Sequence, residues 1–303
     1  MNKEALIIKL KLKMTELEKD EVVINNDNLK LVNSEGLKFL EEVKDNSIDL
    51  VLTDPPYITS RKTGMDSHAK LVSQVDKSGK NCKTDEEWNA YKLLNGITSD
   101  KKKNNYIKYG TIYGKKYAVK TDYGEWDKDF TMEVLEEFIK RYYIKLRDGG
   151  SIIIWFDIWK ITPLKDLLEK YGFKSIRFIE WVKTNPQPLN SSHSYLTNCR
   201  EIALFAVKKS KPTFNSKYDN AIYRYPLQGG KNRFHPTQKS LELFKDLINK
   251  HSNEGDLVLD TFSGGGTTAI ACKITKRKFL GCELNKEYFD KSIEILNNTA
   301  EPI

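Results

Sequence analysis

Short apolar runs alternate along the chain with longer stretches whose apolar positions recur every three or four residues. In SIDLVLT (47–53), Ile48, Leu50 and Leu52 alternate with Asp49 and Val51, the pattern of a buried strand. Six further runs read the same way: LKLVN (29–33), GSIIIWF (150–156), KSIRFIEWV (174–182), EIALFAV (201–207), DLVLD (256–260) and KFLGCE (278–283). Between them, Val134, Leu135, Phe138, Ile139, Tyr142 and Leu146 recur at helical spacing, as do the apolar positions from Leu241 to Ile248. Strands alternating with helices predict an α/β fold, a doubly wound, seven-stranded and mostly parallel sheet. Residues 1–28 read as an N-terminal extension and 29–303 as one domain. Two stretches, 60–122 and 208–233, lack periodicity and are expected to be loops or inserts rather than separate domains.

Two strand ends carry unusual chemistry. The strand at 47–53 runs straight into TDPPYITS (53–60), an acid, two prolines and an aromatic in a row. A rigid corner is one explanation, but turns rarely need two prolines followed by a tyrosine. The strand ending at Asp260 is followed by Phe262, Ser263 and the glycines Gly264, Gly265 and Gly266, and then by a small-residue helix from Thr267. Glycines at a strand-to-helix turn let a ligand approach the backbone without meeting a Cβ. About twenty residues on, the next strand ends in Glu283, where an acid hydrogen-bonds the ribose hydroxyls of an adenosine-containing cofactor. The spacing is neither GxGxxG nor GxxxxGK[ST], which disfavours a dinucleotide or a P-loop nucleotide.

Charge adds a third feature. The chain has 303 residues and a formal net charge of +8. Between Arg61 and Lys120 stand fourteen Lys or Arg against six Asp or Glu, while the rest of the chain has 36 of each sign. The whole excess therefore lies directly after the DPPY corner. Tyr91, Tyr106, Tyr109, Tyr113 and Tyr117 are interleaved with its lysines. The plain alternative is a solvated, lysine-rich loop. The sharper expectation is a flexible arm for a polyanion, with Lys101, Lys102, Lys103, Lys115 and Lys116 meeting phosphates and tyrosines stacking on bases. The four cysteines are scattered, with no CxxC pair and no His at ligand spacing, so no structural metal is expected. Free thiols, no apolar run long enough to cross a bilayer and no signal-peptide core point to a cytoplasmic protein without a membrane partner.

DPPY (54–57) and the FxGxG at Phe262–Gly266 resemble the two signature motifs of the amino-methylating DNA methyltransferases, in the order of their circularly permuted, β-type subgroup. FHPTQKSLEL (234–243), YGEWDKDF (123–130), WVKTNPQP (181–188) and REIALFAVKK (200–209) are similar to that subgroup's other blocks. The likeness runs from about residue 29 to 297 apart from the two inserts.

The resemblance implies a Rossmann-like methyltransferase fold and methyl transfer from S-adenosyl-L-methionine to the exocyclic amine of adenine or cytosine in DNA. Asp54 favours adenine-N6, since the cytosine-N4 enzymes more often carry Ser-Pro-Pro-Tyr. Asp54 and the Pro55 carbonyl are then acceptors for the amine, Pro56 stiffens the turn and Tyr57 stacks on a flipped-out base. Trp126 and Trp181 are candidates for its other face. Asp260, Phe262, Ser263, Gly264 and Gly266 are implied cofactor contacts, with Glu283 on the ribose. His235, Thr237, Gln238 and Lys239 fall in the segment that closes over the cofactor, with Lys239 on its carboxylate and His235 outside catalysis. Asn33-Ser34-Glu35 stands where the family commonly has Gly-Asp or Ser-Asp. Target recognition falls to the short 208–233 segment, shared with the basic insert. The resemblance leaves open a homodimer and a cognate restriction endonuclease, the latter as a system rather than a complex. The alternatives are a cytosine-N4 methylase, a methylase of RNA or of a protein amide, and a non-catalytic DNA-binding subunit of the same fold.

Overall fold

The computed structural model describes residues 21–25, 28–58, 64–115, 130–186, 196–229 and 238–300. The chain divides into two compact units, one built from residues 1–58 and 127–303, the other from residues 59–126.

Nine strands form one sheet in the first unit: β1 (Glu21–Asn25), β2 (Leu29–Asn33), β3 (Ile48–Thr53), β4 (Leu146–Phe156), β5 (Phe173–Lys183), β6 (Arg200–Lys208), β7 (Ile222–Tyr225), β8 (Leu257–Asp260) and β9 (Lys278–Glu283). Their order is β1-β2-β9-β8-β3-β4-β6-β5-β7. The central run β2-β9-β8-β3-β4 is parallel, with Leu50 opposite Val258 and Thr53 opposite Ile154. β6 runs antiparallel to both β4 and β5, and β1 antiparallel to β2. All seven expected strands are present, so the α/β, doubly wound reading holds. Two more strands extend it. β1 lies in the N-terminal extension, and β7 pairs with β5 from inside a segment read as a loop. At four residues, β7 is too short to show a period.

Helices cover both faces. α1 (Gly36–Glu42), α5 (Met132–Lys145) and α6 (Ile161–Lys170) close one face over Ile48, Val51, Ile152, Ile154 and Leu259. α7 (Leu241–His251), α8 (Thr267–Ile274) and α9 (Lys286–Asn298) close the other over Leu50, Leu52, Ile153, Trp155, Trp181 and Val258. Strands buried on both faces are why β3 and β8 read as nearly continuous apolar runs.

The second unit holds α2 (Gly64–Ser78), α3 (Asp85–Leu94) and α4 (Lys103–Tyr109). Thr84 and Glu87 form a reciprocal capping box that fixes the start of α3. Trp88 is fully buried, and Tyr91 stacks on Tyr106 at 4.5 Å between ring centroids. Tyr109 is buried beside Val72 and Val75. The stretch expected as a loop or insert thus carries three packed helices within residues 64–115. Three of its five interleaved tyrosines pack within the unit: Tyr106 and Tyr109 are buried and Tyr91 is stacked against Tyr106, whereas Tyr113 is exposed and Tyr117 lies outside the described residues.

Candidate active site

Open parallel sheets bind ligands at the carboxyl ends of their strands, where neighbouring connections diverge. Here β3 and β8 are neighbours, so Asp54 and Gly264, 210 positions apart in sequence, leave adjacent strand ends. The Thr53 hydroxyl donates to Asp260 Oδ1 at 2.7 Å and the Thr268 hydroxyl to Oδ2 at 2.6 Å. The Phe262 amide also donates to Oδ1. Burial raises the Asp260 carboxyl to about 6, with these donors opposing it. Asp260 therefore ties the two motif-bearing strands together.

Beyond Asp260 the chain turns sharply, with φ +50° at Gly264 and +70° at Gly266, a region that favours glycine. A Cβ on Gly266 would stand 3.0 Å from the Ser292 Cβ. Glu283, at the end of β9, accepts the Gly264 amide through Oε2 and the Asn285 amide through Oε1, both at 2.7 Å. Each oxygen keeps a second lone pair, which leaves the carboxylate able to take two hydroxyl donors. Burial pushes the Glu283 carboxyl up to about 7, opposed by those amides. The Ser263 hydroxyl is buried with no hydrogen-bond partner among the described residues, a polar atom that a ligand in this turn would satisfy. Phe262 packs its ring against Phe130 and Phe138, at 5.5 and 4.8 Å. Asn33 donates to the Glu283 and Leu284 carbonyls, and Glu35 caps α1, so the Asn-Ser-Glu stretch braces the same corner. Glycine turn, acid and orphaned hydroxyl fit an adenosine-containing cofactor.

On the β3 side, Pro55 is buried and Pro56 half-buried. Asp54 Oδ2 pairs with the Lys239 ammonium at 2.9 Å, while Oδ1 is buried and has no partner among the described residues. Lys239, only 6% exposed at its side chain, also reaches Glu201 Oε2 at 2.5 Å and the Tyr57 hydroxyl at 3.2 Å. The other Glu201 oxygen takes the Lys183 ammonium at 2.6 Å. Burial alone would raise the Glu201 carboxyl, but Lys239 and Lys183 more than offset this and hold it at about 2. Burial would likewise lower the Lys239 ammonium, yet Asp54 and Glu201 hold it well above its ordinary value. Tyr57 sets its ring edge-on to Phe156 at 6.0 Å.

The structure brings together Asp54, Pro55, Pro56 and Tyr57 in the turn after β3, and Asp260, Phe262, Ser263, Gly264, Gly266 and Glu283 at the ends of β8 and β9. It differs from the sequence reading on Lys239, whose ammonium engages Asp54 and Glu201. Trp181 is fully buried against Trp155 and donates its indole N–H to the Tyr225 carbonyl, so it is a core residue and not a cap on a base. Gln238 is half-buried. His235, Thr237, Lys116 and Trp126 lie outside the described residues. In the second unit, Lys103 pairs with Asp85 and Lys115 with Asp76, whereas neither Lys101 nor Lys102 has an acidic partner among the described residues. Sequence reasoning missed Glu201 and Lys183. The one signal was charge at the ends of two apolar strands, and only the antiparallel pairing of β5 with β6 brings those ends together.

A nine-stranded sheet with a glycine turn and an acid on adjoining strand ends defines a nucleoside-cofactor α/β enzyme. The family model described as DNA methylase, covering N6 and N4 methyltransferases, matches residues 48–294, and the chain belongs to that family of S-adenosylmethionine-dependent DNA amino-methyltransferases. It is similar to the Type II methyltransferase M2.DpnII of Streptococcus pneumoniae, 29% identical over 91% of this chain and 93% of that protein. The Type II methyltransferase M2.MboI of Moraxella bovis is 28% identical, over 88% of this chain and 87% of its own length. Among solved structures, the M1.HpyAVI–SAM complex superimposes with a TM-score of 0.57 at 27% identity, over 89% of this chain and 99% of that one.

Proposed function

We propose that the protein methylates the N6 amine of an adenine flipped out of DNA. The observation that carries this is the division of labour within Asp54. One oxygen is held by Lys239, and the other is buried and has no partner among the described residues, an acceptor waiting for a donor. A buried, unsatisfied acceptor costs free energy unless a ligand supplies the missing hydrogen bond. An exocyclic amine supplies it.

The N6 amine is a weak nucleophile because its lone pair is delocalised into the ring. Asp54 Oδ1 accepts one N–H and the Pro55 carbonyl the other, which turns the lone pair out of conjugation. Pro56 rigidifies the turn and adds no competing donor. Tyr57 stacks on the base and returns part of the few kcal/mol that unpairing and unstacking cost. Glu283 would accept the ribose hydroxyls of the cofactor, and the turn from Phe262 to Gly266 would hold its methionine part. S-adenosylmethionine supplies an electrophilic methyl group on a sulfonium. The protein's own contribution is alignment of the amine and stabilisation of the charge that develops on it.

The 208–233 segment and the basic second unit are assigned to target reading, the latter supported by its excess of positive charge. The Type II designation of the relatives supports a place beside a restriction endonuclease, as a system rather than a complex. Among the described residues no helix is long and apolar enough to cross a membrane. Access to cellular DNA implies that the enzyme acts in the cytoplasm.

The test is a tritium transfer assay on mixed-sequence DNA, followed by digestion to nucleosides. Label in N6-methyladenine is the expected result. Label confined to N4-methylcytosine would replace the adenine assignment, and an absence of transfer would overturn the enzyme reading.

A further inference from the structure

Asp54, Lys239, Glu201 and Lys183 form a row of alternating charges, linked at 2.9, 2.5 and 2.6 Å. The row starts at the catalytic turn after β3, passes through the segment before α7 and ends on the paired ends of β6 and β5. Its exposure is low throughout: 20% or less at each side chain, and 6% at Lys239. Two unpaired charges so placed would be costly, whereas four that alternate in sign are mutually compensated. The Lys183 amide donates to the Cys199 carbonyl, which fixes the two strand ends beside each other.

We propose that Glu201 and Lys183 are positioning residues for methyl transfer. Their pair holds the Lys239 ammonium on Asp54 Oδ2, and so leaves Oδ1 aimed at the amine of the target base. This rests on the reading of Asp54 as the acceptor of that amine. Neither Glu201 nor Lys183 touches the base, and both act through Lys239.

The arrangement has a logic in which each member is needed. Without Glu201, Lys239 has Asp54 as its sole carboxylate partner, and its ammonium is free to shift between the two Asp54 oxygens. The bare acceptor would then be competed for by an internal donor. Tyr57 belongs to the same cluster, since its hydroxyl accepts from Lys239 and lies 3.5 Å from Glu201 Oε2. Among the described residues, the charged and titratable groups around Asp54 are therefore Lys239 ahead of α7, Glu201 on β6, Lys183 on β5 behind it, Tyr57 on its own turn and Asp260 at the end of β8. Phe156, at the end of β4, adds only an aromatic edge. The Asp260 carboxyl is engaged by Thr53 and Thr268 and, raised by burial to about 6, titrates near the acid limb in wild type and in both variants, so only the displacement between proteins is read.

Charge changes at the two ends of the row have opposite effects on Asp54. Glu201→Gln removes a negative charge, which makes the Asp54 carboxyl easier to ionise. The acid limb of kcat/KM against pH is expected to move to lower pH. Lys183→Met leaves Glu201 less compensated, and the limb is expected to move to higher pH. In both variants kcat falls by about tenfold to a hundredfold, the size expected when a reacting group loses its alignment. The dissociation constant for S-adenosylmethionine stays within about threefold, because Glu283 and the glycine turn are untouched.

Wild-type, Glu201→Gln and Lys183→Met proteins should be compared for kcat/KM profiles, cofactor affinity by titration calorimetry, and melting temperature. Opposite displacements of the acid limb with retained cofactor affinity support the assignment. Reduced kcat with an unmoved limb in both variants means that the row serves folding only, and overturns it. If Glu201→Gln does not fold, Lys183→Met decides alone: a limb that does not rise sinks the proposal. The functional reading fails separately, since wild-type protein without transfer activity would refute the methylase and leave no profile to displace.

Discussion

The hydroxyl of Thr53 lies 2.7 Å from Oδ1 of Asp260, a hydrogen bond that spans 207 positions of sequence and joins the strand of the DPPY turn to the strand of the glycine turn. This buried contact adds to the β3–β8 ladder in holding the DPPY turn and the glycine turn in register. The two turns can thus be perturbed separately, which the following experiments exploit.

Asp54→Ala is expected to abolish methyl transfer while leaving affinity for S-adenosylmethionine within a few-fold. The side chain contacts Lys239 and is the proposed acceptor of the amine, whereas the glycine turn leaves a different strand. Single-turnover tritium transfer and calorimetry check the two halves of the statement. An alanine variant with near-wild-type turnover would remove Asp54 from catalysis.

Glu283→Ala should weaken cofactor binding by about 1.5–3 kcal/mol, the cost of losing hydrogen bonds to a charged acceptor. Unchanged affinity in a calorimetric titration would show that the ribose is held elsewhere.

The pH dependence of Glu283 separates binding from stability. The carboxyl sits at about 7, above its ordinary 4.5, because burial disfavours the ionised form. A folded-state value raised in this way contributes stability that is complete below 4.5 and is lost as pH rises through about 7. Cofactor binding runs the other way, since only the ionised carboxylate accepts two hydroxyls. Glu283→Gln should therefore gain melting temperature relative to wild type as pH increases across this window. Its residual affinity should lack the wild-type decline on acidification. A difference in melting temperature that does not vary with pH would contradict the assignment.

Replacing Lys101, Lys102 and Lys103 with Ala should flatten the log–log salt dependence of DNA binding by roughly one to three units, at about 0.9 per phosphate contact. Lys103 is partly neutralised by Asp85, so Lys101 and Lys102 should carry most of the change. An unaltered slope in filter binding would return the cluster to a solvated surface.

Trp88→Ala should destabilise the second unit by about 3–5 kcal/mol, as for other large buried aromatics. The indole is fully buried, stacks near Tyr91 and donates to Asp100. Protease cleavage should then concentrate within 59–126, with cofactor affinity preserved. Cleavage spread evenly along the chain would show that the unit is not separately stable.

Much of this was legible in the sequence, and for a physical reason. β3 and β8 are buried on both faces, so their apolar runs are long and their polar ends stand out as DPPY and the glycine turn. What was not legible depends on pairing over distance. Glu201 and Lys183 matter because β6 turns back antiparallel to β5, and strand register is not written in apolar period. The tyrosines of the second unit were misread because an aromatic among lysines looks exposed. Tyr106 and Tyr109 stand three apart on α4, but Tyr91 meets Tyr106 only once α3 and α4 are packed together, and composition outweighed that weak pattern. Lys239 was assigned to the cofactor by its place in a motif, while its burial between two carboxylates is a tertiary fact.

The strand order also governs how the chain comes to its fold. β8 lies between β3 and β9, and β9 is the partner that attaches β2 to the sheet. During synthesis the β3–β4–β6–β5 half can assemble early, but one edge of β3 stays open until β8 has emerged, and β2 has no place to dock until β9 has followed. An open apolar edge in mid-sheet invites pairing between nascent chains. Truncation just before Leu257 should yield aggregates rather than a smaller soluble domain, and a ribosome-stalled chain of that length should be a client of chaperones.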